Sequence, residues 1–520
     1  MPDFLTLYAQ AQPDKPAVID DRGGGEVTRW TYRELEEQSN RVANALLSLG
    51  VRPGEKIIWC GPNSPQVVAA ICASRKAGYV AVPLNYRLTA EEAQYVVGHS
   101  DATVAYVDAE LAPMFADLLT RVERLRHVIV YGGPAPDGML ADDFVAAAAA
   151  TPPPDPEPDA GAGTMIFTSG TTGKPKGALR RARPEGQDTS AMRLVGLIGY
   201  TPDDIYLTSG PLYHSGPWGF MGGALALGQT VVVQRKFDPE DWLRLVDTYR
   251  VSSTFAAPAP IRMVCSLPEE VKKRYDRSTV KRMIANAAPW SYALKLQYLA
   301  DFPEDSLWEV YGSTELGVDC VLEPKDQRRK PGSCGKPAPG VEVVLFDADG
   351  REVTGTGPDH TGELFVRSPG IYEEYYKQRD SYDKSRRGDL HTVGDIAYRD
   401  DEGFYYICDR KNDMIISGGM NIYPAEIEAA LEQHPDIYEA AVFGIPSEEW
   451  GESVHATVVR QPGASVTPAD VMTFSREHLA GYKTPRSVDF VDELPRTGSG
   501  KVLKRELRAP YWATENRQVG

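Results

Sequence analysis

Paired cysteines and histidines are what this 520-residue sequence lacks first. Its six cysteines never approach C-x-x-C spacing, and its eight histidines form no closely spaced pair. That argues against a zinc knuckle or a disulfide framework and suits a reducing compartment. No uninterrupted apolar run approaches the ~18 residues that a membrane-spanning helix needs, so no transmembrane segment is expected. The N-terminal "MPDFLTLYAQAQPDKPAVID" has neither the positive start nor the apolar centre of an export signal, and the expected location is cytoplasmic. Basic charge is also short. Against 73 Asp and Glu there are 56 Lys and Arg, and the net charge of -17 repels a polyphosphate backbone, so general nucleic-acid binding is not expected. Oligomeric state stays open, a homo-oligomer included.

What is present is a repeating pattern of short β-rich runs and helical spacing. "EKIIWCG", "SPQVVAAICASRKAG" and "YVAVPL" read as strand, helix, strand, and the pattern returns in "TVVVQRKF", "DPEDWLRLVDTYR" and "VSSTFAAP". Repeated βαβ units predict largely parallel sheets with helices on their faces. The run Ala146–Ala150 and the Pro-rich "TPPPDPEPDAGAG" read as a helix end and then a linker between subdomains. From about Val341, "VEVVLFDADGREV" and "TGELFVRS" alternate like a smaller antiparallel unit, and an α+β piece follows "CDRKNDMIISGG".

The densest chemistry lies in "TMIFTSGTTGKPKGA", residues 164–178. Glycines that expose backbone N–H groups, together with lysines, can wrap phosphate. No acidic residue interrupts positions 164–184, which carry Lys174, Lys176, Arg180, Arg181 and Arg183, so a local anion site is expected in an otherwise acidic chain. A solvated surface loop is the competing reading of the loop taken alone. It is not a Walker A motif: Thr168 stands where the first Gly belongs, and Pro175 follows Lys174. A second loop, "PRTGSGK", ends at Lys501 and also fails that pattern, with Pro495 in the place of the first Gly.

With "PLYHSGPWG" (211–219), "YGSTE" (311–315), "GDIAYRDDEGFYYICDRKNDMIISGG" (394–419) and "LPRTGSGK" (494–501), the loop resembles the adenylate-forming superfamily of acyl-CoA synthetases, luciferases and nonribosomal-peptide adenylation domains. The five segments keep that family's order. The resemblance implies an α/β fold: a large N-terminal AMP-binding domain, 1–411, of two βα-layered subdomains plus a small β-barrel-like subdomain, and a mobile α+β C-terminal domain, 412–520. It implies an AMP-forming acid–thiol ligase using ATP, Mg²⁺ and coenzyme A. A small-molecule carboxylic acid becomes acyl-AMP with release of pyrophosphate, and a thiol then takes the acyl group.

Residue roles follow from the same resemblance. Thr168, Ser169, Gly170, Thr171, Thr172, Gly173, Lys174 and Lys176 hold the departing phosphates. Lys501 stands between carboxylate and α-phosphate, where negative charge accumulates. Thr314 binds the α-phosphate and Glu315 ligates Mg²⁺. Tyr311 and Gly312 flank the adenine, as do Ala287, Ala288 and Pro289; at Ala287 the family usually has Gly. Asp395 and Arg410 meet the ribose, and Asn412 is the hinge. Ser417, Gly418 and Gly419 line the pantetheine tunnel, and His214 stands between the ATP and acyl sites. Tyr213, Trp218, Met221, Gly222 and Trp290 form the acyl pocket, whose lack of charge favours an apolar fatty or bulky cyclic or aryl acid. A free-standing enzyme that charges a carrier-protein thiol is the alternative. Arg180 and Arg181 depart from the family's usual Ser or Thr followed by His, and read as phosphate contacts or surface charge, with surface charge favoured.

Overall fold

The computed structural model describes residues 3–156, 161–168, 175–181, 187–288, 290–410, 413–417, 420–447, 449–496 and 502–512. The expected strand–helix–strand unit is present: Lys56–Cys60 and Val80–Leu84 pair in parallel, and helix Pro65–Lys76 joins them. The Ser64 side chain caps that helix by accepting from Val67 N–H, and Pro65 occupies the first turn, where an N–H is not needed.

Alternation along these strands builds the layers. Ile57 and Trp59 face one core cluster and Ile58 and Cys60 face another, as a strand buried on both sides requires. Their sheet has seven strands, and its mixed edge runs through Gly163–Thr168 and Lys176–Arg181 to Glu374–Tyr375. A nine-stranded sheet contains the second repeat: Thr230–Val233, Ile205–Thr208, Ser253–Ala256, Arg282–Ala285 and Leu307–Ser313 are parallel neighbours. The cluster that holds Trp59 also holds Tyr206, Val231 and Trp308, so the inner faces of both sheets enclose a shared helical layer. That layer includes helices Tyr32–Ser48, Pro65–Lys76 and Ser215–Ala226.

The Pro-rich linker is anchored at its start. Helix Asp142–Ala146 ends there, and Asn40, Arg41 and Asn44 of helix Tyr32–Ser48 donate to the carbonyls of Ala146, Ala148, Ala149, Ala150 and Thr151. A six-stranded antiparallel sheet covers Glu342–Phe346 to Tyr405–Arg410, with Gly362–Arg367 paired to three neighbours. A five-stranded sheet from Ile415–Ser417 to Ser487–Phe490 has its own core, centred on Ile415, Ile427, Val442 and Val458. Among the described residues no helix is long and apolar enough to cross a membrane.

In the shared layer, Lys76 Nζ lies 2.9 and 2.8 Å from the two Glu36 oxygens and 2.8 Å from Thr6 Oγ1, with the lysine side chain only 3% exposed. Removing one partner strands a buried charge. Lys76→Met is therefore expected to cost about 3 kcal/mol, and adding Glu36→Leu to recover most of it, as read by urea denaturation.

Candidate active site

The site forms where the edges of the two large sheets meet. Strand Leu307–Ser313 turns back into Gly317–Leu322 through Thr314, Glu315 and Leu316. Gly312 permits that tight return, because a Cβ there would stand 1.9 Å from the Gly317 carbonyl oxygen. The turn aims buried Glu315 at the other sheet, where its Oε1 accepts from Thr168 Oγ1 at 2.9 Å and from the Tyr375 hydroxyl at 3.0 Å. Thr314 Oγ1 lies 2.8 Å from Ser215 Oγ, in the first turn of helix Ser215–Ala226.

Lys176 begins the strand that follows the phosphate-type loop, and its Nζ sits 5.1 Å from the centroid of the Tyr375 ring. Burial pulls its pKa below the usual lysine range while the Glu315 charge pulls it back. Residues Ser169, Gly170, Thr171, Thr172, Gly173 and Lys174 lie outside the described residues, as do Pro289, Asn412, Gly418, Gly419 and Lys501. A bridge between Arg496 and Val502 flanks the segment that carries Lys501. Ser417 is buried at the end of Ile415–Ser417, directly before the two glycines.

On the nucleotide side, the Tyr311 hydroxyl donates to Asp395 Oδ2 at 2.5 Å, and burial followed by the Asp395 charge raises its pKa well above the ordinary tyrosine value. Asp395 opens strand Asp395–Arg399 and pairs in register with Arg410, so the two expected ribose contacts are backbone neighbours. Ala287 has φ 71, in the left-handed region, although it carries a Cβ. The backbone thus adopts at Ala287 the conformation that suits glycine, the residue the family usually carries there.

The acyl residues divide. Tyr213 packs edge-on to Tyr86 at 5.4 Å, Trp218 edge-on to Trp59 at 5.8 Å, and Met221 is fully buried among them. His214 stands directly before helix Ser215–Ala226, its ring centroid 4.4 Å from that of Tyr213. Trp290 does not join them. It stands just before the Ser291 cap of helix Tyr292–Asp301 and packs down on that helix against Tyr298, ring centroids 6.0 Å apart. It belongs with Trp242 and Phe302 to the cluster on the outer face of the nine-stranded sheet. Its side chain packs there rather than with Tyr213, Trp218 and Met221.

One further residue emerges only from the structure. Tyr375 reaches Glu315 from a two-residue edge strand, and the aromatic density of "YEEYYK" was its only sequence signal. The surface-charge reading holds for Arg181, which pairs with Glu373 at 3.2 Å. It fails for Arg180, whose Nη2 donates to the Thr314 carbonyl at 2.9 Å and whose Nε is buried.

Known proteins share this architecture. The family described as AMP-binding enzyme matches residues 5–376, and the AMP-binding enzyme C-terminal domain matches 426–501. The chain is 34% identical to fatty acid--[acyl-carrier-protein] ligase ScoC of Streptomyces coeruleorubidus, over 99% of this chain and 97% of that one. It is also 34% identical to feruloyl-CoA synthase of an Amycolatopsis species, over 97% of each chain. The solved structure of o-succinylbenzoate CoA synthetase (MenE) from Bacillus subtilis, in complex with its acyl-adenylate intermediate OSB-AMP, matches with a TM-score of 0.82 at 27% identity, over 100% of this chain and 99% of that one. Layered sheets and ordered motifs of this kind define an adenylate-forming enzyme. The chain belongs to the AMP-binding enzyme family, as an AMP-forming acid–thiol ligase.

The strained position offers a test. Relief of roughly 1 kcal/mol of left-handed strain in Ala287→Gly is partly offset by the greater freedom of unfolded glycine, so a net gain of about 0.5 kcal/mol is expected. Ala285→Gly, inside a buried strand, is expected to lose about 1 kcal/mol in the same urea titration.

Proposed function

We propose that the protein is an ATP-dependent carboxylic acid–CoA ligase acting on a bulky apolar acid, with an aryl acid preferred over a fatty one. The observation that carries the reading is the meeting of Thr168, Thr314 and Glu315 at the seam of the two sheets, in line with the loop before Lys176. In this reading the loop grips the phosphates that leave as pyrophosphate. Thr314 and Lys501 meet the α-phosphate as the carboxylate attacks, which places donors where charge develops. Asp395 and Arg410 orient the ribose, and the Tyr311 ring flanks the base. His214 separates the nucleotide from the acyl pocket.

Glu315 offers the oxygen donor that Mg²⁺ prefers. Among the described residues no group of three or more His, Cys, Asp or Glu side chains could cage a metal, a donor set that suits an ion completed by phosphate oxygens and water. Bound there, Mg²⁺ would neutralise phosphate charge. For the second half-reaction, the segment from 412 onward turns as a mobile domain about Asn412, and Ser417, Gly418 and Gly419 then line the path of the CoA thiol.

Helix Ser215–Ala226 supports the choice of acid. Ser215, Gly219, Gly222 and Gly223 share one helical face, which starts at Thr314. A Cβ added at Gly219 or Gly223 meets nothing within 4 Å, and one at Gly222 touches only Trp218 at 4.0 Å. Open space beside an aromatic wall suits a flat, bulky tail. The feruloyl-CoA synthase relative favours the aryl class, and the acyl-carrier-protein ligase relative keeps a carrier thiol as the second reading.

ATP–pyrophosphate exchange across a panel of aryl and fatty acids, followed by thioester assays with CoA and with a carrier protein, tests the proposal. Exchange with aryl acids and a CoA thioester are expected; exchange with no acid would sink it, and a thioester on the carrier alone would move it to the second reading. Lys501→Ala is expected to slow exchange by on the order of 10²- to 10³-fold while still passing the acyl group of supplied acyl-AMP to CoA. Gly223→Leu is expected to raise KM for the bulky acid by about tenfold, the scale of a small steric change in an apolar pocket, and to leave KM for ATP unchanged.

A further inference from the structure

Arg180 lies on strand Lys176–Arg181, where side chains alternate between faces. Lys176, Ala178 and Arg180 share one face; Gly177, Leu179 and Arg181 share the other. Ala178 packs with Tyr372 and Tyr375, so its short side chain leaves the middle of that face to the tyrosine that holds Glu315. Lys176 and Arg180 flank this point, and the Glu315 charge acts on both.

The surroundings of the guanidinium separate three roles. A surface charge is excluded by its buried Nε, which has no hydrogen-bond partner among the described residues. The contact seen is to the protein backbone and not to the loop side of the site: Nη2 donates to the Thr314 carbonyl at 2.9 Å. An ordinary structural ion pair would bring a carboxylate within 4.0 Å, and among the described residues Arg180 has none. Its charged neighbours are Glu315, within the turn that Arg180 grips, and Asp319, on the strand Gly317–Leu322 that follows it. Asp319 is fully buried, and neither of its oxygens has a hydrogen-bond partner among the described residues. Burial and the Asp395 charge raise the Asp319 pKa well above the carboxylate range, and Arg180 opposes that rise.

We propose that Arg180 is a positioning residue, a planar cation that clamps the Thr314 carbonyl from beneath and so aims the Thr314 hydroxyl and the Glu315 carboxylate at the Mg²⁺-bound nucleotide. This rests on the ligase reading above. The guanidinium suits the task because it is permanently charged and its rigid fork fixes direction as well as charge. The clamp also links the two sides of the site, since the strand that leaves the phosphate loop thereby holds the turn that carries the metal ligand.

The test compares wild type with R180M, which loses donor and charge, and R180Q, which keeps an amide donor. Two measurements are made on the full-length protein: ATP–pyrophosphate exchange with an acid the wild type activates, and the rise in Tm produced by MgATP. R180M is expected to lose ten- to a hundredfold in kcat and to need several-fold more Mg²⁺ for half-maximal rate, with KM for the acid within twofold. Its MgATP-induced Tm rise is expected to fall by at least half, and R180Q to lie between. An R180M enzyme that melts lower but keeps the wild-type kcat, Mg²⁺ dependence and MgATP-induced shift would make Arg180 merely structural and overturn the assignment. If R180M does not fold, the same unchanged values in R180Q overturn it. A wild type that exchanges with no acid overturns the ligase reading instead, and the MgATP-induced shift still decides the role of Arg180.

Discussion

Two hydrogen bonds to one carboxylate oxygen set the alignment of the two large sheets at the site. Glu315 belongs to a hairpin at the edge of the nine-stranded sheet, and its two donors, Thr168 and Tyr375, stand on the two strands that flank Lys176–Arg181 in the seven-stranded one. The apolar layer between the sheets drives association but is indifferent to small shifts along a strand. Hydrogen bonds near 3 Å are not, because they weaken steeply with misalignment. The burial that holds the sheets together and the contacts that fix their relative position are thus separate, and the second group is the one at the proposed site.

Polar groups around that carboxylate are layered. Thr168 and Tyr375 touch Glu315 directly, Arg180 and Ser215 hold its neighbour Thr314, and Asp319 lies buried behind the turn. Directional contacts to a short turn restrict where its side chains can point, which favours preorganised chemistry over induced rearrangement. Ala287 adds a different constraint. Its left-handed backbone is retained despite a Cβ, so the path of that segment matters more than its local comfort.

Much of this was legible in the residue order. Short β-rich runs separated by segments of helical spacing revealed the parallel units, and "YGSTE" marked the turn that bears Thr314 and Glu315. The contacts that complete the site were not, because their partners lie far apart in the chain: 147 residues separate Thr168 from Glu315, and 60 separate Tyr375 from it. Arg180 was misjudged for a subtler reason. In a run of cations its composition suggests solvent, whereas alternation along "KGALRR" puts Arg180 with Lys176 and turns Arg181 to the other face. Trp290 shows the converse: its neighbours in sequence approach the nucleotide segment, but its own environment is set by the helix that begins two residues later.

The tether between the subdomains is read by its backbone. Five successive or near-successive carbonyls between Ala146 and Thr151 are gripped by three side chains of helix Tyr32–Ser48, and none of the contacts uses the side chain of an alanine. The identity of the exposed Ala146 and Ala149 is therefore free to drift, whereas Ala148 packs against the core and the number of residues is fixed. One residue inserted or deleted there would hand every donor the wrong oxygen, so the stretch acts as a ruler whose marks are peptide groups.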